Sequence, residues 1–291
     1  MFLQQLINGV VIGSVLALAA LGYSMVYGLI RMMNFAHGDI LMFGTYLTLT
    51  FTLTGIPFYI ALPLGLLAGV VVALLVARTA YMPLLDRPRN ALVLTSVGAS
   101  FLLENVAQLI WGAGVKPFPK PSMLSNQTHV LGSVVITDLQ ITILVICILA
   151  MIILTVFVRF TKLGIATRAT SSNMLAARLM GIPARLIVLS TFAIGSVMAV
   201  LGGVLTGIYY NAVWPMMGFN LGLQAFSASI LGGIGSLPGA VLGSLFMGIA
   251  QSLGASYISS GFRDGVAFIV LILVLLVRPW GILGKPEIEN I

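Results

Sequence analysis

Hydrophobic positions in this chain run together in long stretches, and most charged positions fall in the segments between them. No Asp, Glu, Lys or Arg occurs from Met1 to Ile30, from Ile40 to Ala77, from Leu139 to Val158 or from Leu186 to Phe262. A helix needs about 20 apolar residues to cross the hydrocarbon core of a bilayer, and each run is long enough. The runs lack the apolar–polar alternation of barrel strands, so helices that satisfy their own backbone hydrogen bonds are the predicted form. With Gly, Pro and charge as punctuation, nine segments emerge: Gln4 to Tyr27, Phe35 to Leu53, Pro57 to Ala77, Ala91 to Trp111, Leu139 to Val158, Leu186 to Tyr210, Leu221 to Leu237, Ala240 to Ile258 and Asp264 to Trp280. The second contains His37 and Asp39, and the seventh is short and Gly-rich, so these two are expected to be broken or re-entrant. The predicted fold is all-α, a polytopic transmembrane bundle of eight or nine spans forming one domain over residues 1–291.

Composition agrees: 59% of residues are hydrophobic and 7% charged, against about 25% charged in soluble domains. A net charge of +7 raises nucleic acid as a partner, but the basic residues follow the loops, and insertion topology explains them without one. Arg31, Arg78, Arg87, Arg89, Arg159, Lys162, Arg168, Arg178, Arg185, Arg278 and Lys285 fall on one side, leaving Lys116, Lys120 and Arg263 on the other, a split of 11 to 3. The richer side is expected to be cytoplasmic, with the N-terminus outside, the C-terminus inside, and lipid around the bundle. The first apolar stretch lacks a basic flank and is too long for a signal-peptide core, so it is expected to remain as a helix. Tyr209, Tyr210 and Trp214 then fall at the outer interface and Trp280 at the inner one. The single cysteine, Cys147, can form no internal disulfide and is expected in the core.

Small residues four apart, as in Gly9, Gly13 and Ala17, in Gly65, Gly69 and Ala73, and in Gly235, Gly239 and Gly243, predict close helix crossings. The pentapeptides Gly13-Ser14-Val15-Leu16-Ala17 and Gly195-Ser196-Val197-Met198-Ala199 begin spans expected to run in opposite directions. An inverted repeat would produce that pairing, as would chance.

The predicted cytoplasmic loop 159–185 has 27 residues, five of them basic. Within it Leu175 to Pro183 reads as a short helix ended by Gly181 and Pro183. Ala176, Ala177 and Met180 can form an apolar patch for a partner's groove, with Arg168 and Arg178 meeting acidic groups. An interfacial helix on anionic lipid is the other reading.

The Ala176-Ala177 to Gly181 arrangement resembles the coupling loop of ABC importer permeases. Four further segments resemble the LivH-type permease family of branched-chain amino acid importers: Asn34 to Asp39, Thr191 to Gly195, Gly232 to Ala240, and Arg278 to Gly281. The resemblance follows chain order over nearly the whole length. It departs in the loop, where Leu175 stands in place of the family's glutamate and Ser172-Asn173 in place of an acidic pair. The resemblance implies a bacterial inner-membrane permease that pairs with a second, related permease, two cytoplasmic ATPase subunits and an extracytoplasmic substrate-binding protein. It further implies that Arg168, Ala176, Ala177, Arg178, Met180 and Gly181 couple to the ATPases, and that the cargo is a branched-chain or other aliphatic amino acid.

Charges inside spans cost about 2.5–3.5 kcal/mol each on insertion scales, so those present are candidates for the path. Glu104 and Gln108 lie mid-span with Asn105 nearby. In the Asn34 to Asp39 cluster, Gly38 is expected to let the helix break, exposing backbone toward a path beside Asn34 and His37. An interfacial cap near Arg31 is the alternative for His37, and pairing with Arg263 is the expectation for Asp264.

Two histidines, one cysteine and no HExxH, GxSxG or CxxC pattern leave no readable catalytic or metal constellation, so the chain is not expected to be an enzyme. No GxxxxGK[ST] sequence occurs, so ATP, the one cofactor implied, falls to partner subunits. The competing reading is an ion-coupled secondary transporter of small neutral solutes using Asp39, Glu104 or His37.

Overall fold

The computed structural model describes residues 1–85, 87–121, 127–132, 134–278 and 280–284, without the side chains of Arg89, Leu131, Asp264 and Ala267. Pro279, Lys285 and the side-chain pairing expected of Asp264 therefore lie outside the described residues. Among the described residues nine helices match the nine apolar segments: α1 (Phe2–Ile30), α2 (Ala36–Leu53), α3 (Phe58–Val76), α4 (Arg89–Trp111), α5 (Asp138–Phe160), α8 (Ala184–Tyr210), α9 (Met217–Gly232), α10 (Leu237–Tyr257) and α11 (Arg263–Val277). The loop between α5 and α8 holds two more, α6 (Lys162–Ser172) and α7 (Met174–Leu179). Among the described residues six helices are long and apolar enough to cross a membrane; they lie at Phe2–Ile30, Phe58–Leu84, Asn90–Trp111, Asp138–Phe160, Ala184–Tyr210 and Leu237–Tyr257.

The chain is not purely helical. Strands β1 (Thr128–Leu131) and β2 (Val134–Thr137) form an antiparallel hairpin with Thr128 opposite Thr137 and Leu131 opposite Val134. The β-branched run Val134 to Thr137 favours a strand. Thr137 then caps α5 in a capping box: its hydroxyl accepts from the Gln140 amide at 3.3 Å while its own amide donates to Gln140 Oε1 at 3.1 Å.

Helix α1 is the axis of the bundle, packed chiefly on α10 and α8 and buried along most of its length. Its glycines explain the approach: a methyl at Gly13 would sit 2.7 Å from the Leu245 Cα, and one at Gly9 would sit 2.6 Å from the Ile249 Cα. Without an apolar driving force between helices in lipid, such close backbone contact supplies the packing energy. Gly65 meets Thr48 and Gly69 meets Val200, so two of the small-residue triplets are crossings as expected. The third divides: Gly239 and Gly243 abut α9, but Gly235 stands in the α9–α10 turn at φ 83°.

Gly38 does not break its helix. α2 runs through it, and a side chain there would collide with the Gly218 carbonyl of α9, so this glycine serves a crossing. The interruption lies earlier, in residues 31–35, where Arg31 takes the left-handed conformation at φ 54° and ends α1. α9, expected to be broken, is continuous for 16 residues. Its end is closed by the C-terminal segment: the Ile282 and Leu283 amides donate to Leu231 and Gly232, each at 2.9 Å.

Candidate translocation path and coupling helix

The interruption between α1 and α2 delivers Asn34 and His37 into the protein interior, where they are 3% and 2% exposed. The Asn34 backbone amide donates to the Tyr23 hydroxyl at 3.2 Å, and its side-chain oxygen accepts from the Tyr81 hydroxyl at 2.9 Å. Its side-chain nitrogen has no hydrogen-bond partner among the described residues. His37 Nε2 lies 3.3 Å from the Ala19 carbonyl, and its ring meets Tyr23 edge-on at 5.6 Å. Phe192 leans on Tyr81 at 5.0 Å, and Gly195 of the same segment abuts Gly22. Two segments far apart in sequence, Asn34 to Asp39 and Thr191 to Gly195, thus meet in one polar seam.

Two cavities adjoin this seam. The larger, of about 230 Å³, is lined by Ala19 and Leu41 near the seam and by Tyr209, Tyr210, Trp214 and Arg263 at the end of the bundle. Gln224 and Gln251 also line it, with Gln251 Nε2 donating to Gln224 Oε1 at 3.1 Å. The smaller, of about 20 Å³, lies among Tyr23, Asn34, Phe35, Phe219, Gly222, Leu223 and Phe226. His37, bonded to Ala19 and packed on Tyr23, touches a lining residue of each.

Glu104 and Gln108 line neither cavity. They sit one turn apart on α4, half-buried, with Gln108 Nε2 donating to Glu104 Oε1 at 3.2 Å. Asn105, expected to share their side, is exposed and bonds back to the Phe101 carbonyl at 2.7 Å. The inner face of α4 carries Ser100, which donates to Asp39 at 2.5 Å, and Trp111, which stacks on Tyr46 at 4.9 Å. Sequence reading missed Tyr23, Tyr81, Gln224 and Gln251. For Tyr23, Gln224 and Gln251 the one signal was a hydrogen-bonding group inside an apolar run, where an unpaired polar atom is costly; Tyr81, beyond Arg78, had no such signal.

The loop between α5 and α8 is built by caps. Thr161 accepts from the Gly164 amide at 3.0 Å to begin α6, and Asn173 accepts from the Ala176 amide at 3.0 Å to begin α7. Ser171 donates to the Gly28 carbonyl at 2.6 Å, tying α6 to the end of α1. Gly181 closes α7 at φ 82°. Of the expected patch, Ala176 and Met180 are exposed but Ala177 points inward at 4% exposure, because α7 turns that side toward the bundle. Leu175 and Leu179 take its place, at 69% and 81%. Arg168 donates to the Arg159 carbonyl at 3.1 Å and Arg178 reaches Met174 Sδ at 3.8 Å, and both side chains are exposed.

Residues 5–275 match the family model described as branched-chain amino acid transport system / permease component. The chain is 41% identical to the high-affinity branched-chain amino acid transport system permease protein LivH of Escherichia coli K12, over all of this chain and 98% of that one. It is 40% identical, at the same coverage, to the permease protein BraD of Pseudomonas aeruginosa. Among solved structures, PsaBC from Streptococcus pneumoniae in complex with Fab aligns over 96% of this chain and 92% of its own at 16% identity, with a TM-score of 0.48.

Proposed function

This chain belongs to the permease-component family of branched-chain amino acid transport systems, and from that premise we propose that it forms part of the membrane path of an ATP-driven importer for branched-chain or other aliphatic amino acids. One observation carries the mechanism: α7 presents Leu175, Ala176, Leu179 and Met180 outward while α6 is bonded to α1. Exposed apolar side chains on a short helix suit a groove on a partner. A push on α7 passes through α6 to Gly28 and along α1, whose Ala19 carbonyl holds His37 between the two cavities. Movement of α1 against α2 at that point opens one cavity toward the other, which is alternating access by a packed seam with two arrangements.

In this reading the N-terminus is outside and the C-terminus cytoplasmic, so the larger cavity faces outward and receives cargo from a substrate-binding protein. α7 docks on an ATPase subunit, two of which serve the assembly. Arg168 and Arg178 flank the contact. The exposed Asn105, beside Glu104 and Gln108, would be costly against lipid tails, which supports a second permease covering that face of α4. α2, α9 and α11 complete eight or nine crossings. The two matching pentapeptides lie on α1 and α8, which pack together, in keeping with an inverted repeat.

Ion-coupled transport has weaker support, because Asp39 is committed to Ser100 and neither Asp39 nor Glu104 lines either of these two cavities, which leaves it His37, beside lining residues of both. Purifying the tagged chain from membranes tests the choice. Co-purifying ATPase subunits and leucine uptake abolished by ATP depletion are expected; uptake that follows a proton or sodium gradient with no ATPase present would reverse the assignment.

A further inference from the structure

The larger cavity combines two kinds of lining. Ile12, Val15 and Leu16 of α1 supply branched aliphatic surface. The polar lining includes the Gln224–Gln251 amide pair and the Arg263 guanidinium, which lies 5.0 Å from the Tyr210 ring centre and donates to its hydroxyl. Gln251 is 1% exposed, and a carboxamide buried that deeply is costly unless its groups are used. At about 230 Å³ the space is smaller than the roughly 300–1,000 Å³ of drug-sized sites, a scale suited to a small solute.

A guanidinium presents a planar fork that matches a carboxylate. We infer that the permease itself holds a substrate site in this cavity, with Arg263 receiving the α-carboxylate of an aliphatic amino acid and the α1 wall receiving its side chain. Tyr210 is the positioning residue, holding the guanidinium at the cavity mouth. The inference rests on the transport reading above and adds a selecting residue within the membrane subunit.

Equilibrium binding of radiolabelled L-leucine to the purified importer complex, without its binding protein, tests it. Unlabelled leucine should compete, and leucinamide, which lacks the carboxylate, should compete about tenfold less well, as expected for loss of a charge-assisted hydrogen bond. Arg263→Gln should weaken leucine binding about tenfold and erase the difference between the two competitors, and Arg263→Lys should restore part of it. Ile12→Trp, which fills the cavity from the aliphatic wall, should weaken both competitors alike. Absence of saturable leucine binding to the wild-type complex, or unchanged binding by Arg263→Gln, overturns the site. If that occurs while the complex keeps its ATPases and ATP-driven leucine uptake, the transport reading stands and this inference alone falls.

Discussion

The Gln4 side chain pairs with both backbone groups of Val135: its Nε2 donates to the Val135 carbonyl at 2.9 Å, and its Oε1 accepts the Val135 amide at 2.8 Å. A carboxamide at the start of α1 thus acts as the neighbouring strand for β2. Gln4 also reaches Asn8, which accepts from Gln140 of α5 at 3.1 Å, so hairpin, α1 and α5 share one network. Replacing Gln4 with Ala should release the hairpin locally. Each hydrogen bond contributes about 0.5–1.5 kcal/mol, so amide exchange at Val135 should accelerate roughly tenfold without loss of the folded bundle. Unchanged exchange would mean that the strand is held elsewhere.

Asp39 and Ser100 join α2 to α4 deep inside, at 0% and 6% exposure. Ser100→Ala removes the partner of Asp39 Oδ2, while Oδ1 has none among the described residues. A buried acceptor left unsatisfied costs about 1–3 kcal/mol, so the variant should unfold at lower temperature in detergent. A melting curve superimposed on the wild type would refute the assignment.

Two glycines make a matched comparison. A methyl at Gly38 would strike the Gly218 carbonyl, whereas one at Gly98 meets open space within this chain. Gly38→Ala should destabilise by roughly 1–3 kcal/mol through displacement of α2 from α9. Gly98→Ala should leave the melting of the isolated subunit unaltered, and equal melting shifts in the two variants would count against the crossing.

On α7, the direction of each side chain separates docking from folding. Met180→Asp places charge on an 83% exposed position and should abolish ATP-driven uptake while the subunit melts normally. Ala177→Asp buries charge and should lower stability itself, so its uptake defect carries no information on docking. Gly181, at φ 82°, tolerates no side chain without strain, and Gly181→Ala should destabilise by about 1 kcal/mol. Normal uptake by Met180→Asp would remove the docking surface.

Cys147 is fully buried in α5, so a membrane-permeant maleimide should label the chain only after denaturation. Labelling of the native protein would show that α5 opens or faces elsewhere.

The nine helices named among the described residues were legible as apolar runs, and their ends at Ser236, Thr137 and Gly233 follow local capping and turn chemistry. The hairpin was not, because two strands of four residues within a loop leave too little pattern to stand out. α6 was read as loop for a similar reason: it is short and polar, and Thr161 and Ser171 hold it from outside its own apolar pattern. Of the path candidates, Asn34 and His37 reach the seam between the cavities, while Glu104 and Gln108 do not line either one.

By itself the sequence determined which segments are helical and apolar, since hydrocarbon offers the backbone no hydrogen bonds and leaves a long apolar segment no alternative. Tertiary structure alone decided the rotation of each helix about its axis. α1 is apolar on nearly every side, and although the Gly9–Gly13 stripe marks a crossing face, nothing along the helix says that α10 meets it or which other face lines the cavity. Packing settled that choice at Gly9 and Gly13, and in doing so brought Gln224, Gln251 and Arg263 from separate helices to the lining of one space.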